Sequence, residues 1–233
     1  MKINLWQIEL KVFLLKDIAY RDVVTKVATF IDSALLNDEK WSTYHLEQKY
    51  KGYSFNSLYP IMKNGIYKKG RVYTVQIRTV VEELKDFFME SLKDNITEEM
   101  KGLLTHVRPM KTKKSIDKLI SVTPLVIKTK KSYWRKEMNV EQFLKKICTS
   151  ITNQYKELYG GTIDENVPIF TGIKFRNRFP IVTRYKKVKL LGEKVVLEVA
   201  DNEIAQKLAF LSLGVGAGHM GARGFSFMNP RWK

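Results

Sequence analysis

Gly214-Val215-Gly216-Ala217-Gly218-His219-Met220-Gly221-Ala222-Arg223-Gly224-Phe225-Ser226 is the stretch from which the rest of the chain can be read. Five of the 13 glycines fall within it. Glycine at that density signals positive φ angles or a backbone that something approaches closely. Before it, Ile204, Leu208 and Leu211 recur at helical spacing, with Asp201 as a candidate cap and Gly214 as the stop. After it, Phe225 to Met228 is a short apolar run suited to a closing strand. The loop thus joins the last helix of a unit to its last strand. Residues 216 to 221 spell Gly-x-Gly-x-x-Gly, but the dinucleotide fingerprint needs a preceding strand, a following helix and an acidic residue about twenty positions on. Only 12 residues follow Gly221, and no Gly-Lys-Ser/Thr closes the run as in a Walker loop. Two uses remain: a backbone cradle for a phosphate-bearing ligand, or a tight structural loop.

Working back from the loop, Glu193 to Val199 follows Gly192 as the return arm of a hairpin, and Ile181 to Leu190 and Ile169 to Phe175 are strand candidates. Val140, Phe143, Leu144, Ile147, Ile151, Tyr155 and Leu158 form a helical stripe that Gly160-Gly161 ends, and Leu125 to Lys128 reads as the strand before it. The first part of the chain has the same order. Residues 3 to 14 alternate, with Trp6, Ile8, Leu10, Val12 and Leu14 on one side. Asp17 starts a helix carrying Tyr20, Val24, Val27, Ala28, Ile31 and Leu35. Strands follow at 53 to 58 and 71 to 78, with turns at Asn64-Gly65 and Lys69-Gly70, then a helix with Val80, Leu84, Phe87 and Phe88, then strands near 103 to 108 and 119 to 127. Strand, helix, strand, strand, helix, strand is the ferredoxin-like order. The expected fold is therefore α+β: two tandem ferredoxin-like (RRM-like) βαββαβ domains, 1–122 and 123–233, the second carrying the glycine-rich loop.

Charge narrows the partner. The 233 residues hold 41 Lys and Arg against 24 Asp and Glu, a net +17. Residues 1 to 100 contribute 15 basic and 14 acidic side chains, so almost the whole excess belongs to the remainder. A solubility device would be spread evenly; a localised excess points to a polyanion, nucleic acid before an anionic membrane surface. No apolar run reaches membrane-spanning length, no signal peptide is evident, and the single cysteine, Cys148, suits a reducing compartment, so a cytoplasmic location is expected.

His45, His106 and His219 are the only histidines, far apart and without cysteines or paired carboxylates at ligand spacing, so no metal site and no cofactor is expected. Cleavage of a nucleic acid without a metal is accessible to RNA, whose 2'-hydroxyl is an internal nucleophile. Such a site needs a base for that hydroxyl, an acid for the leaving 5'-oxygen and a cation for the phosphorane. His45, placed in a polar aromatic loop between helix and strand, suits acid–base work, with a plain surface histidine as the alternative. Lys51 suits the phosphate, and Tyr44 and Tyr53 suit base stacking or a hydrogen bond to an oxygen. His106 reads as structural, while His219 lies beside any phosphate held by the loop. Lys128, Lys130, Lys131, Arg135 and Lys136 interleave with Tyr133 and Trp134; Lys174, Arg176, Arg178, Arg184, Lys186, Lys187 and Lys189 interleave with Phe175, Phe179 and Tyr185. Arginine with aromatics fits RNA phosphates and exposed bases better than a bare lysine tract, such as Lys111, Lys113, Lys114 and Lys118.

These residues resemble the CRISPR-associated repeat-processing endoribonucleases, the Cas-six family of the RAMP superfamily. That family carries Gly-x-Gly, five residues, then Gly-x-Gly near its C-terminus; here Gly216-Ala217-Gly218, five residues, Gly224-Phe225-Ser226 is similar, with Ser226 in place of the last glycine. The family also carries a histidine after the first helix, then a lysine and an aromatic-rich strand, as in His45, Lys51 and Tyr53 to Leu58. Some members use a tyrosine in the first helix, near whose place this chain has Phe30. The resemblance implies His45 as general base or acid and Lys51 as phosphate stabiliser; a third catalytic residue does not carry over, and Tyr44 is a substitute candidate only. The expected RNA contacts are Gly216, Gly218, His219, Gly221, Arg223 and Gly224 of the loop, with Lys128, Lys130, Lys131, Arg135, Arg176, Arg178, Arg184 and Lys186. The implied substrate is the repeat in a CRISPR precursor transcript, cut without metal through 2'-hydroxyl attack. The alternative is a non-catalytic RNA-binding module of the same fold. Implied partners are CRISPR repeat RNA and a CRISPR effector complex, with no membrane; monomer and homodimer both stay open.

Overall fold

The structure, a computed structural model, describes residues 2–112, 114–129, 133–164, 166–185 and 188–233, without the side chain of Arg184. Lys113, Lys130, Lys131, Lys186 and Lys187 lie outside the described residues, so the RNA-contact expectation for those of them in the two aromatic-laced runs has no structural counterpart. The first half runs β1 (Leu5–Leu14), β2 (Ile18–Ala19), α1 (Tyr20–Leu36), α2 (Glu39–Leu46), β3 (Tyr53–Phe55), β4 (Ile66–Tyr67), β5 (Val72–Thr79), α3 (Glu82–Asp94) and β6 (Met100–Met110). Its sheet has the antiparallel order β3-β5-β1-β6, and β2 pairs with β4 in a small ribbon. The second half runs β7 (Ile116–Ser121), α4 (Val140–Tyr159), β8 (Phe170–Phe175), β9 (Ile181–Tyr185), β10 (Val188–Gly192), β11 (Val195–Val199), α5 (Glu203–Val215) and β12 (Met228–Trp232), with sheet order β12-β7-β11-β8. Setting aside the β2–β4 ribbon and the β9–β10 hairpin, each half is βαββαβ with its fourth strand beside its first, the ferredoxin-like arrangement.

Alternation in β1 places Ile8, Leu10, Val12 and Leu14 in the core with no exposure. They pack beneath α1, which buries Val23, Val27, Ala28, Phe30, Ile31, Ala34 and Leu35, a stripe wide enough to hold the helix on the sheet. Burial of each Val, Leu, Ile or Phe side chain among them contributes about 1.5 to 3 kcal/mol. In the second half α4 starts with a capping box between Asn139 and Gln142 and ends at Gly160, whose φ of 69° suits glycine. Its buried face, Phe143, Ile147, Ile151 and Tyr155, joins the second core with β7, β11 and α5.

Several expected elements are placed differently. The strand after residue 115 hydrogen-bonds to β11 and β12, so it opens the second sheet, whereas the boundary expected after residue 122 counts it with the first half. Residues 125 and 126 form only isolated bridges, to Glu193 and His219. The hairpin lies wholly within 181–192, because Tyr185 pairs with Val188, and β11 is free to pair with β7 and β8. The closing strand begins at Met228, after the loop has been satisfied by its own turns. Asn202, not Asp201, caps α5 by accepting from the Ala205 N–H at 2.8 Å. Asp17 is not a cap either; it accepts from the Lys69 N–H at 2.7 Å.

The two halves are clasped by buried polar groups. Arg78 of β5, 4% exposed, donates to Gln7 Oε1 at 3.0 Å, to the Met228 carbonyl at 2.5 Å and to Asn229 Oδ1 at 2.8 Å, with its guanidinium 4.3 Å from the Phe227 ring. Ser54 donates to the Gly214 carbonyl at 2.8 Å. Among the described residues no helix is long and apolar enough to cross a membrane.

Candidate functional site

A cleft of about 540 Å3 opens along this seam, lined from the first half by His45 and Lys51 and from the second by Lys128, Gly218, His219, Gly221 and Arg223. Its walls come from α2, the chain after it, and the turn that follows α5.

The sequence expectation put His45 in a loop. It stands instead in the last turn of α2, which Asp38 caps by accepting from the Trp41 N–H at 3.0 Å and which Trp41 anchors against Phe87. That anchor fixes the face on which His45 projects. His45 Nδ1 lies 3.6 Å from Asp32 Oδ1, with the two side chains 12% and 16% exposed. Arg223 Nη1 approaches both oxygens of the same carboxylate at 2.5 Å. Burial, the largest single influence, pulls the Arg223 pKa down, but the Asp32 charge, Tyr53, Tyr185 and the hydrogen bond to Asp32 together more than offset it, and the net direction is up. The carboxylate therefore faces groups from both halves.

Lys51 Nζ donates to the carbonyls of Tyr44 and Glu47 and sits 4.6 Å over the Tyr44 ring. Partial burial pulls the ammonium below the ordinary lysine range. Tyr44 itself is a floor beneath Lys51: its hydroxyl accepts from the Gly52 N–H at 2.8 Å, burial pushes it up to about 12, and it does not line the cleft. Tyr53, a candidate for base stacking, is 1% exposed with its ring edge-on to Phe88, so it belongs to the core. Phe30 is fully buried in the same core.

His219 is held more tightly than a surface contact would be. Its N–H donates to the Val126 carbonyl at 2.9 Å and its ring Nδ1 accepts from the Lys128 N–H at 2.8 Å. An accepting Nδ1 leaves the proton on Nε2, so the neutral ring can donate to a ligand. Burial first, then Lys128 and Lys146, lower its pKa and favour that neutral state.

The glycines of the loop face protein. A Cβ on Gly221 would stand 2.0 Å from the Val215 carbonyl oxygen, and one on Gly224 would stand 2.6 Å from the Phe55 ring and 2.7 Å from Val24. Gly216 takes a φ of 89°, and Gln154 of α4 donates to the carbonyls of Gly216 and Gly218. Ser226 adopts a φ of 59°, a conformation that favours glycine, and its hydroxyl links the Val126 N–H to the His219 carbonyl. The loop thus braces one half on the other while exposing His219 and Arg223 at the cleft.

The basic residues do not all converge. Lys128 reaches the cleft. Arg135 is stacked 4.7 Å from both Trp134 and Phe175 and pairs at 3.0 Å with the fully buried Glu193. Arg176 and Arg178 do not line the cleft, and Arg184 is described only as the backbone partner of Lys189 in the β9–β10 hairpin. His106 lies exposed on β6. Asp32 and Glu193 do not stand out in the sequence as site residues, and Tyr185, expected only as an aromatic of the basic run, lines the cleft. For Asp32 a signal existed: it falls one turn from the buried Ala28 and Leu35, and a carboxylate in an apolar stripe needs a partner. Among the described residues no group of three or more His, Cys, Asp or Glu could hold a metal ion.

No family model matches the chain, and no curated protein sequence does. Solved structures do match. A RAMP protein described as binding different RNA substrates superposes with a TM-score of 0.74 at 18% identity, over 97% of this chain and 99% of its own. A CRISPR-associated protein Cas6 gives 0.73 at 16% identity, over 97% and 99%. The fold is that of Cas6. A Cas6-related protein from Pyrococcus furiosus gives 0.72 at 16% identity, over 97% and 98%, so the Cas6 likeness spans both halves and the loop between α5 and β12.

Proposed function

We infer that the chain is a Cas6-type endoribonuclease that binds the repeat of a CRISPR precursor transcript and cuts it without a metal. The observation that carries this is the convergence of His45 and Lys51 with His219 and Arg223 across one cleft. Solved Cas6 structures of the same fold include a product complex, at a TM-score of 0.66 and 13% identity.

In the proposed reaction the 2'-oxygen attacks the adjacent phosphorus and the 5'-oxygen leaves, giving a 2',3'-cyclic phosphate and a 5'-hydroxyl. His45 takes the hydroxyl proton or supplies the proton for the leaving oxygen. Lys51, with two of its three N–H donors on backbone carbonyls, directs the third at the phosphorane. His219 Nε2–H and Lys128 are further donors to the phosphate. Exposed basic residues of the second half, Arg176 and Arg178 among them, would follow the RNA beyond the cleft. A non-catalytic RNA-binding module is the second reading, and the buried Phe30 favours it, since some members of the resembled family place a reactive tyrosine near that position.

The test is incubation with repeat RNA in EDTA, with end-group analysis. Cleavage continues in wild type, and His45→Ala binds RNA but cuts it at least about a hundredfold more slowly. A requirement for a divalent cation, or full activity in His45→Ala, would refute the reading; binding with no cleavage of any repeat selects the second one.

A further inference from the structure

We propose that Asp32 is a positioning residue: it orients His45 and, by clamping Arg223, ties the histidine of the first half to the glycine-rich loop of the second. Its kinetic consequence rests on the endoribonuclease reading; its geometry does not.

Asp32 stands on α1 between two buried residues of the apolar stripe, where a carboxylate costs free energy unless a cation compensates it. Arg223, 191 residues away in sequence, supplies that cation, with Nη1 at 2.5 Å from each oxygen. So anchored, Oδ1 faces His45 Nδ1 at 3.6 Å. A carboxylate on one ring nitrogen fixes the tautomer and the ring plane, and makes the other nitrogen the one that exchanges a proton with a ligand. A shift of the loop moves Arg223, and with it the carboxylate, so loop placement and histidine placement are one variable.

Other charges line the same cleft, Lys128 from the second half among them. Glu47 pairs with Lys49 at 3.4 Å, Lys51 donates to two carbonyls, and Glu157 accepts from the Tyr50 N–H at 2.6 Å. Tyr53 from β3 and Tyr185 from β9 face the Asp32–Arg223 pair as neutral phenols. Asp32 carries the 3.6 Å contact with the imidazole, and removal of Asp32 or of its partner Arg223 moves the histidine in opposite senses.

The test needs no RNA. Three histidines give three C2–H proton signals, assigned with His45→Ala, His106→Ala and His219→Ala in the full chain. Asp32→Asn moves the His45 titration midpoint to lower pH, Arg223→Ala moves it to higher pH, Asp32→Glu holds it near wild type, and His106 does not move. An unchanged His45 midpoint in a folded Asp32→Asn overturns the proposal; if that variant does not fold, an unchanged midpoint in Arg223→Ala does so. In cleavage assays Asp32→Asn lowers kcat about tenfold, the order expected for losing a close carboxylate–imidazolium attraction in a partly buried site, while RNA affinity stays within about twofold. On a His45→Ala background the same change costs nothing further, whereas an equal loss in both backgrounds makes Asp32 merely structural and overturns the role. A wild type that cuts no repeat sinks the nuclease reading and leaves the titration result standing.

Discussion

Replacing Gly221 by alanine separates two uses of the glycine-rich loop, bracing and RNA contact. The new Cβ would stand 2.0 Å from the Val215 carbonyl oxygen and 3.0 Å from its carbon, both backbone atoms at the end of α5. Relief requires the end of α5 to retreat by about 1 Å in a close-packed interior. That retreat strains the Ser54 hydroxyl bond to the Gly214 carbonyl, a buried contact between the halves worth about 1 to 3 kcal/mol once broken. Overpacking adds about 1 to 3 kcal/mol, so a loss near 3 kcal/mol is expected. Gly161→Ala is the control: its φ is 81°, nothing lies within 4 Å of the built Cβ, and the cost is left-handed strain alone, about 1 to 2 kcal/mol. Urea unfolding followed by tryptophan fluorescence gives both values from the midpoint and slope. If Gly221→Ala unfolds with wild-type stability yet binds RNA poorly, the glycine serves close approach of ligand and the bracing argument is wrong.

Two more outcomes follow from buried polar groups. His219 has its pKa lowered below the ordinary 6.5, so the unfolded chain binds the proton more readily than the folded one. Its contribution is present above pH 6.5 and is lost as pH falls below that value. Urea midpoints should therefore drop between about pH 7 and pH 5 by more in wild type than in His219→Gln; parallel curves would remove the burial of His219 as the cause. Arg78→Lys keeps the charge but cannot span Gln7, Met228 and Asn229 together, and should destabilise by about 2 to 4 kcal/mol in the same measurement. A loss under about 1 kcal/mol would show that the clasp does not depend on the fork.

The duplicated fold was legible because it rests on periodicity. Ile8, Leu10, Val12 and Leu14 of β1 and the central stripes of α1 and α4 carry their burial in the order of residue types, though Trp6 is only part-buried and Tyr20 and Val140 at the helix starts are exposed. Chain order then fixes which ferredoxin-like element each becomes. What failed were boundaries decided by partners elsewhere. The strand at Ile116–Ser121 belongs to the second sheet because its hydrogen bonds go to β11 and β12, and nothing local distinguishes that from closing the first sheet. Ile181 to Leu190 reads as one strand candidate because it carries no glycine or proline turn signal, whereas Tyr185 pairs with Val188 and makes the 181–192 segment a hairpin.

For the site, the sequence by itself determined the chemistry in stock: three histidines, one cysteine, a basic second half and a loop whose glycines demand close approach. Tertiary structure decided which of these meet. It set His45 opposite Arg223 and His219 because α2 and the turn after α5 pack on the same seam, and it removed Tyr53 and Phe30 into the core. It also brought in Asp32, whose partners lie 13 and 191 residues away. Side-chain periodicity reports only whether a position faces inward; which charges share a cleft depends on how two independently patterned halves dock, and that is fixed by Arg78, Ser54 and the glycines between them.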